Sequence, residues 1–270
     1  MTAAEKACPI NLMNLQFASF FATGFGLVAF PLFALAAESG PDLAGQLRAK
    51  QEGSTFVRVR MQLASGQTFQ LQIKSRVSRE TSDIVYQILF PKERKGEAIL
   101  LHRSEEKFTG TLFIPSKPVR PIASGQMNQP LFGSDLSYED IIDSPYRWNQ
   151  QAIVGTEVID GTSCQILESK PGKGHSSSYS SVKTWLDPRR LIPLRIDKYD
   201  TSGKVMRRIN TTRILLDGNE SLPADLKVYG PNGTVTEITG SRIERSVNYT
   251  DTEFTPEGLK QLSGPPGSSE

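Results

Sequence analysis

The sequence lacks an excess of charge of either sign. Its 270 residues carry 31 basic and 29 acidic side chains, so the formal net charge is only +2. A chain without a positive field has little attraction for a phosphate backbone, and no nucleic-acid partner is expected. The composition, 37% hydrophobic and 22% charged, is that of a folded protein and excludes disorder, collagen and a multi-span membrane protein.

Cysteine and histidine are also scarce. The two cysteines, Cys8 and Cys164, are too few for a disulfide scaffold, and the two histidines, His102 and His175, form no His-x-x-x-His pair. Cys-x-x-Cys and Gly-x-Ser-x-Gly motifs are absent as well, so no metal, cofactor or enzymatic activity is expected. A hydrolase built on His175 and its neighbouring serines is the weaker reading, because the run Gly-Lys-Gly-His-Ser-Ser-Ser is typical of a flexible hairpin loop.

One long hydrophobic run is present, at the N-terminus. Residues 7–37 contain no charged side chain, and the run ends in Ala34-Leu35-Ala36. An apolar core followed by small residues predicts a signal peptide, residues 1–36, and a periplasmic mature protein. The alternative is an uncleaved anchor, since Lys6 is the only basic residue before the run, but Pro31 favours cleavage. After cleavage Cys164 remains alone and is expected to be a buried small hydrophobe.

Alternating side chains dominate the rest of the sequence. In residues 56–63 the apolar Val57, Val59 and Met61 alternate with polar neighbours, which is the period of a half-buried strand. Residues 69–74 repeat the pattern after a Ser-Gly turn, which predicts a hairpin. Further strands are predicted at 83–90, 97–101, 108–114, 152–158, 163–169, 182–186, 191–199, 205–216, 225–229 and 234–247. Asp160-Gly161, Ser202-Gly203 and Asn232-Gly233 provide turns between them.

Few helices are expected beside these strands. Leu43 and Leu47 indicate a short amphipathic helix at the start of the mature chain, and Ser137 is placed to cap a second one with Asp140 three residues on. Residues 115–122 hold three prolines and predict an edge strand or an extended connection. About a dozen antiparallel strands indicate a single curved sheet, sandwich or barrel.

An outer-membrane barrel is the less favoured form of this architecture. Its lipid face must be free of charge, whereas these strands carry Arg58, Arg60, Lys74, Lys198 and Arg208. Each would cost ~2 to 4 kcal/mol at the bilayer midplane if that face met lipid. A soluble barrel with an apolar interior fits the pattern better.

The middle of the chain carries a resemblance to a known family. The run Phe132-Gly133-Ser134-Asp135-Leu136-Ser137-Tyr138-Glu139-Asp140-Ile141 is followed by Trp185-Leu186-Asp187, Pro193-Leu194-Arg195-Ile196, Tyr199-Asp200-x-x-Gly203-Lys204 and Phe254-Thr255-Pro256-x-x-Leu259. Over residues 42–260 this resembles the outer membrane lipoprotein-sorting proteins, relatives of the periplasmic carrier LolA. The motif residues are Ser134, Asp135, Tyr138, Glu139 and Asp140.

The resemblance implies a fold and a site. The expected fold is mainly β (α+β): a half-open, strongly curved antiparallel β-barrel with short covering helices, forming one domain over residues 37–262 before a disordered tail at 263–270. Residues 127–148, hereafter the cover, would close an apolar cavity. The candidate ligand-binding residues there are Met127, Leu131, Phe132, Tyr138, Ile141, Ile142 and Trp148. Core packing is the simpler role of these apolar residues, and capping and turn formation that of Ser134, Asp135, Ser137 and Asp140.

The function implied is non-enzymatic. The resemblance predicts a monomeric carrier that shields acyl chains of lipoproteins or other lipids and moves them towards the outer membrane, with an inner-membrane transporter and an outer-membrane acceptor as partners. The alternative is an interaction module of the cell envelope without lipid transfer. For that module the paired basic residues Arg189, Arg190, Arg207 and Arg208 could meet acidic partners, although solvated strand ends are their default role.

Overall fold

A computed structural model describes residues 39–105, 107–262 and 264 of the chain. The predicted signal peptide with Cys8, and the predicted tail apart from residue 264, lie outside these residues. The two α-helices of the described residues are α1, Gly40–Gln51, and α2, Tyr138–Ile142. No helix in this part of the chain has both the length and the apolar character that a membrane crossing needs.

Antiparallel strands make up most of the described chain. They are β1 Gly53–Gln62, β2 Thr68–Val77, β3 Thr81–Phe90, β4 Ala98–Ser104, β5 Lys107–Phe113, β6 Arg120–Ile122, β7 Gln150–Ile159, β8 Thr162–Lys170, β9 Ser181–Asp187, β10 Ile192–Tyr199, β11 Val205–Asp217, β12 Glu220–Tyr229 and β13 Val235–Arg245. The strands predicted from alternation are all present, and the proline-rich segment supplies the short edge strand β6.

All thirteen strands belong to one sheet. Its order is β6-β5-β4-β3-β2-β1-β13-β12-β11-β10-β9-β8-β7, so the first strand pairs with the last and the edges are β6 and β7. These two edge strands are consecutive in sequence but do not pair, and the chain between them contains the cover. The sheet is therefore curved and open, which confirms the mainly β, half-open architecture.

Helix α1 packs against the edge of the sheet formed by β7, opposite the edge strand β6. Ser39 caps it by accepting a hydrogen bond from the Asp42 amide at 3.3 Å. Leu43 and Leu47 are buried, as the sequence predicts, and pack with Tyr146, Leu167 and Leu186. Gly40 lies so close to β7 that an added Cβ would be 2.6 Å from the Gln151 carbonyl oxygen.

The largest core cluster lies between the inner face of the sheet and the cover. The sheet contributes alternate residues such as Met61, Phe69, Leu71, Ile99 and Leu101, each at most 1% exposed. The cover contributes Met127, Leu131, Phe132, Leu136, Tyr138 and Ile142. Period-two alternation thus places one face of β1 to β4 against the cover. On the opposite face Val85 of β3 and Leu100 of β4 are buried against Phe254 and Leu259.

Candidate functional site

An apolar cavity of about 480 Å³ lies between the sheet and the cover. Its wall comes from β1 to β3 on one side and β12 and β13 on the other, which meet because β1 pairs with β13. Leu131 and Leu136 of the cover lie over it, and Leu215 reaches it from β11. The lining residues are Val57, Val59, Met61, Leu71, Ile73, Tyr86, Leu131, Leu136, Leu215, Leu222, Pro223, Ala224, Leu226, Ile238, Gly240, Ser241, Arg242 and Ile243.

Polar side chains are rare in this wall. Arg242 is paired with Glu244, and the Ser241 hydroxyl donates a hydrogen bond to the Arg58 carbonyl. The remaining polar group among the lining residues is the hydroxyl of Tyr86. Tyr86 lies opposite Ile73 on β2 and Ile99 on β4. Burial raises the pKa of Tyr86 to about 12, so its hydroxyl stays protonated and neutral across the physiological range.

The polarity of the inner face changes along the strands. The cross-strand row Val57, Ile73, Tyr86 is the last to line the apolar cavity. The next row, Thr55, Ser75, Ile84, lines a neighbouring cavity of about 360 Å³ that also contains Asp140, Asp143 and Lys198. We call this the polar cavity; the exposed Gln51 belongs to it.

The first tether of the cover is a buried ion cluster at Asp140. Its carboxylate lies 2.7 Å from the Lys198 ammonium and 2.7 Å from the Arg207 guanidinium. Tyr179 donates a further hydrogen bond at 2.8 Å. Burial alone would raise the pKa of Asp140, but the two cations outweigh it and hold the pKa below its usual value. Helix α2 is thereby fixed to β10 and β11.

The same carboxylate caps α2, as the sequence predicts. Ser137 accepts a hydrogen bond from the Asp140 amide at 3.1 Å. In return, Asp140 accepts from the Ser137 amide at 2.7 Å and from its hydroxyl at 2.8 Å. This reciprocal arrangement is a capping box. Asp140 therefore stabilises a local helix start and a distant strand pair at once.

A second tether holds the cover to the turn between β12 and β13. Asp135 accepts from Thr234 and, at 2.8 Å, from Thr236, while its own amide donates to the Thr236 hydroxyl at 2.9 Å. Gly230 lies so close that an added Cβ would be 2.2 Å from the Asp135 carboxylate. Ser134, the neighbouring motif residue, accepts a turn hydrogen bond from the Leu136 amide at 3.2 Å.

A third tether joins the cover to the loop between β8 and β9. Glu139 accepts from the Ser177 hydroxyl at 2.5 Å and from the Ser178 amide at 2.8 Å. His175 Nε2 lies 3.0 Å from Asp143, and both side chains are nearly buried, at 10% and 3% exposure. The connection is a loop as predicted, but it is held against α2 through His175 and the serines.

The candidate ligand-binding residues lie in different surroundings. Leu131 lines the apolar cavity, and Ile141 and Ile142 line the polar cavity. Met127 and Ile142 line another cavity of about 520 Å³ beside Glu139 and the serine loop. The other three pack as core: Phe132 against Phe69 at 6.3 Å between ring centroids, Tyr138 in the main cluster, and Trp148 with Tyr179 and Val182.

Two charged partners in this site were not expected from the sequence. Lys198 and Arg207 face inward, directly paired across β10 and β11, whereas Arg208 faces outward to Asp197. Alternation in β11 requires Arg207 and Arg208 to lie on opposite faces, and this is the only sequence feature that indicated an inward-facing arginine. Arg207 therefore departs from the expected solvated role, whereas Arg189 and Arg190 are exposed, as expected.

Cys164 is fully buried and unpaired, in agreement with its predicted role, and burial raises the pKa of its thiol. No group of three or more His, Cys, Asp or Glu residues able to hold a metal ion occurs in the described residues.

A family model described as that of an uncharacterized protein matches residues 80–261. Crystal structures of other proteins share the fold, among them the following three. One is a DUF1329 family protein from Desulfovibrio piger (23% identity, 82% of this chain and 97% of that one, TM-score 0.75).

The second crystal structure is a domain from Vibrio parahaemolyticus named after outer membrane lipoprotein sorting (21% identity, 82% and 98%, TM-score 0.75). The third is a LolA superfamily protein from Nitrosomonas europaea (19% identity, 82% and 100%, TM-score 0.65). A search of curated proteins gives no match.

Proposed function

The chain belongs to the family whose model matches residues 80–261 and is LolA-like in fold, and from this we propose that it is a carrier that binds acyl chains of lipoproteins or other lipids in its apolar cavity. Its resemblance to the lipoprotein-sorting proteins is thereby confirmed. The observation that supports the proposal is the cavity itself, whose wall is aliphatic on both sides and under the cover. Such a cavity recognises hydrocarbon and needs no catalytic group.

The size of the cavity is matched to one chain. Taking about 30 Å³ per methylene, the share of one water molecule in the liquid, about 480 Å³ accommodates about sixteen methylenes. Each methylene removed from water contributes ~0.8 kcal/mol. The gross gain for a single buried acyl chain is therefore of order 10 kcal/mol, to be set against a cost of association of about 4 to 15 kcal/mol.

The tethers of the cover suit a carrier that must load and unload. Asp135, Glu139 and Asp140 connect the cover to the sheet through side chains, and the backbone hydrogen bonds of residues 127–143 stay within residues 123–143 in the described part of the chain. We propose that the cover moves as a unit without unpairing a strand. The proposed route is from an inner-membrane transporter to an outer-membrane acceptor, by a periplasmic protein exported through residues 1–36.

The test is extraction of bound lipid. We expect protein purified from a bacterial periplasm without detergent to yield acylated species by mass spectrometry, in about one chain equivalent per molecule. Val57→Asp places a charge in the cavity wall and should abolish retention. Val158→Asp is the matched control, because Val158 is 65% exposed on β7, and it should retain lipid like the wild type.

Each result has a defined meaning. Lipid in the wild type and in Val158→Asp but not in a folded Val57→Asp supports the carrier. Wild-type protein that neither holds lipid nor takes up a fluorescent acyl probe contradicts it and favours an envelope interaction module. If Val57→Asp does not fold, Val57→Thr, which keeps the shape of the side chain and adds a hydroxyl, takes its place and should weaken probe binding.

A further inference from the structure

Tyr86 is a polar group in apolar surroundings. Its cross-strand neighbours are Ile73 and Ile99, and Ile84 and Ile88 follow on the same face of β3. The backbone groups of these strands are paired within the sheet. The Tyr86 hydroxyl makes no hydrogen bond to any residue that the structure describes. Tyr86 is partly exposed, and its hydroxyl is not among the fully buried polar atoms that lack a partner, so it is accessible from the cavity and available to a ligand there.

The position of Tyr86 is as informative as its surroundings. It stands in the boundary row, where the apolar cavity ends and the polar cavity begins. The adjacent row carries Thr55 and Ser75, whose hydroxyls are 2.6 Å apart. A ligand whose hydrocarbon part fills the apolar cavity would place its first polar atoms at Tyr86 and the rest of its head group towards the exposed Gln51.

The residues that line the cavity determine which polar atom of a ligand can bind beside Tyr86. The Tyr86 hydroxyl stays protonated, so it is a hydrogen-bond donor and requires an acceptor on the ligand. The only charged side chain among the lining residues is that of Arg242, which is paired with Glu244. A carboxylate beside Tyr86, within the apolar cavity, would therefore be buried without a free cation, whereas a neutral carbonyl carries no such cost. The cations Lys50, Arg147 and Lys198 line the polar cavity beyond this row, where a charged part of the head group would lie.

We propose that Tyr86 is a specificity-determining residue, which donates a hydrogen bond to the neutral carbonyl oxygen of an acyl ester or amide whose chain fills the apolar cavity. This inference rests on the proposed lipid-binding function and narrows its ligand class. Plain hydrocarbon and ionised fatty acids are disfavoured relative to esterified or amide-linked chains.

The experiment uses three probes of equal chain length: methyl laurate, laurate and dodecane. Each displaces a fluorescent acyl probe from the full mature chain. We expect Tyr86→Phe to weaken methyl laurate binding by about 3- to 10-fold, the worth of one neutral hydrogen bond, and to leave dodecane unchanged. Tyr229→Phe removes a hydroxyl from β12 outside this cavity and should change neither affinity.

A spectroscopic measurement separates hydrogen bonding from packing. The infrared carbonyl stretch of ¹³C-labelled methyl laurate should lie lower when bound to the wild type than when bound to Tyr86→Phe. Equal affinities and equal frequencies in the two proteins overturn the assignment of Tyr86. Laurate bound more tightly than methyl laurate, with the difference lost in Tyr86→Phe, overturns the neutral carbonyl. If none of the three probes displaces the reporter from the wild type, the proposed function itself fails.

Discussion

Replacing Asp140 by asparagine removes one charge from a buried triad and keeps the side chain nearly isosteric. In the wild type the carboxylate lies 2.7 Å from each of Lys198 and Arg207. The three side chains are 0%, 5% and 14% exposed, so solvent screens them weakly. Removing one partner of a buried charge pair costs about 3 to 5 kcal/mol, because the remaining charges lose their compensation. We expect this loss in the free energy of unfolding.

Urea denaturation at neutral pH measures the loss, with an unchanged m value showing that the same surface is exposed. Asp225→Asn is the matched control: Asp225 also lies 2.7 Å from an arginine, Arg213, but these side chains are 21% and 40% exposed. Its cost should be clearly smaller, because solvent screens an exposed pair. Losses of equal size in the two variants would refute the burial argument.

A triple variant tests the cause of the loss. Removing all three charges, as Asp140→Leu, Lys198→Met and Arg207→Met, should recover most of the stability that Asp140→Asn loses. If the triple variant is less stable than Asp140→Asn, uncompensated charge is not the reason, and the hydrogen bonds of the capping box dominate instead.

The pH dependence of stability follows from the same cluster. The pKa of Asp140 is lower in the folded chain than its usual value, so its contribution is present above the unfolded pKa of about 3.9 and is lost as pH falls through the folded pKa. The pKa of Lys198 is raised by Asp140 against the effect of burial, so its contribution is lost only at strongly alkaline pH. Asp140→Asn should therefore flatten the acid limb of the stability profile.

Three further predictions concern single positions. Gly230→Ala should destabilise the fold by about 1 to 3 kcal/mol in thermal unfolding, because the new Cβ overlaps the Asp135 carboxylate. Gly45→Ala is the control: an added Cβ has free space in α1, so the variant should be more stable by up to about 1 kcal/mol. A Gly230→Ala variant more stable than Gly45→Ala would contradict the proposed overlap. Cys164 should resist iodoacetamide in the native state and react in urea, because it is buried and the pKa of its thiol is raised; rapid native labelling would show that it is accessible. Glu139→Gln should speed amide hydrogen exchange in the loop between β8 and β9, which the carboxylate holds; unchanged exchange would show that other contacts order that loop.

Local patterns account for what the sequence predicted well. Alternation identified β1 and its hairpin partner β2 because apolar residues recur on one face of each. It did not show that Phe56, Gln72 and Lys74 on the other face are buried as well. The start of β12 was placed five residues late, at Asp225 instead of Glu220. The reason is Pro223, which pairs with Ile214 next to irregularities in the register of β11, a position where a strand tolerates proline.

Ion pairs between residues far apart in the sequence could not be predicted from the alternation pattern. The spacing of Ser137 and Asp140 revealed a helix cap, and the cap is present. The same pattern carried no information about Lys198, 58 residues away, because alternation shows that neighbouring residues face opposite sides but does not decide which side is inside. Arg207 and Arg208 show this limit, since one is inward and the other outward.

The division of contacts at the cover explains why the motif is rich in carboxylates. Apolar cover residues pack mostly on β1 to β4, through Phe69, Leu71 and Ile99 among others, and the same cluster reaches Val228 of β12. Asp135, Glu139 and Asp140 instead reach the other half of the sheet and its loops, from β8 to β13. The apolar cavity lies between these halves, where β1 meets β13. On the opposite side Arg147 of the cover donates hydrogen bonds to the Ser78 and Arg79 carbonyls between β2 and β3. Weakening the carboxylate tethers should therefore free the cover from β8 to β13, while Arg147 and the packing on β2 to β4 hold its other side.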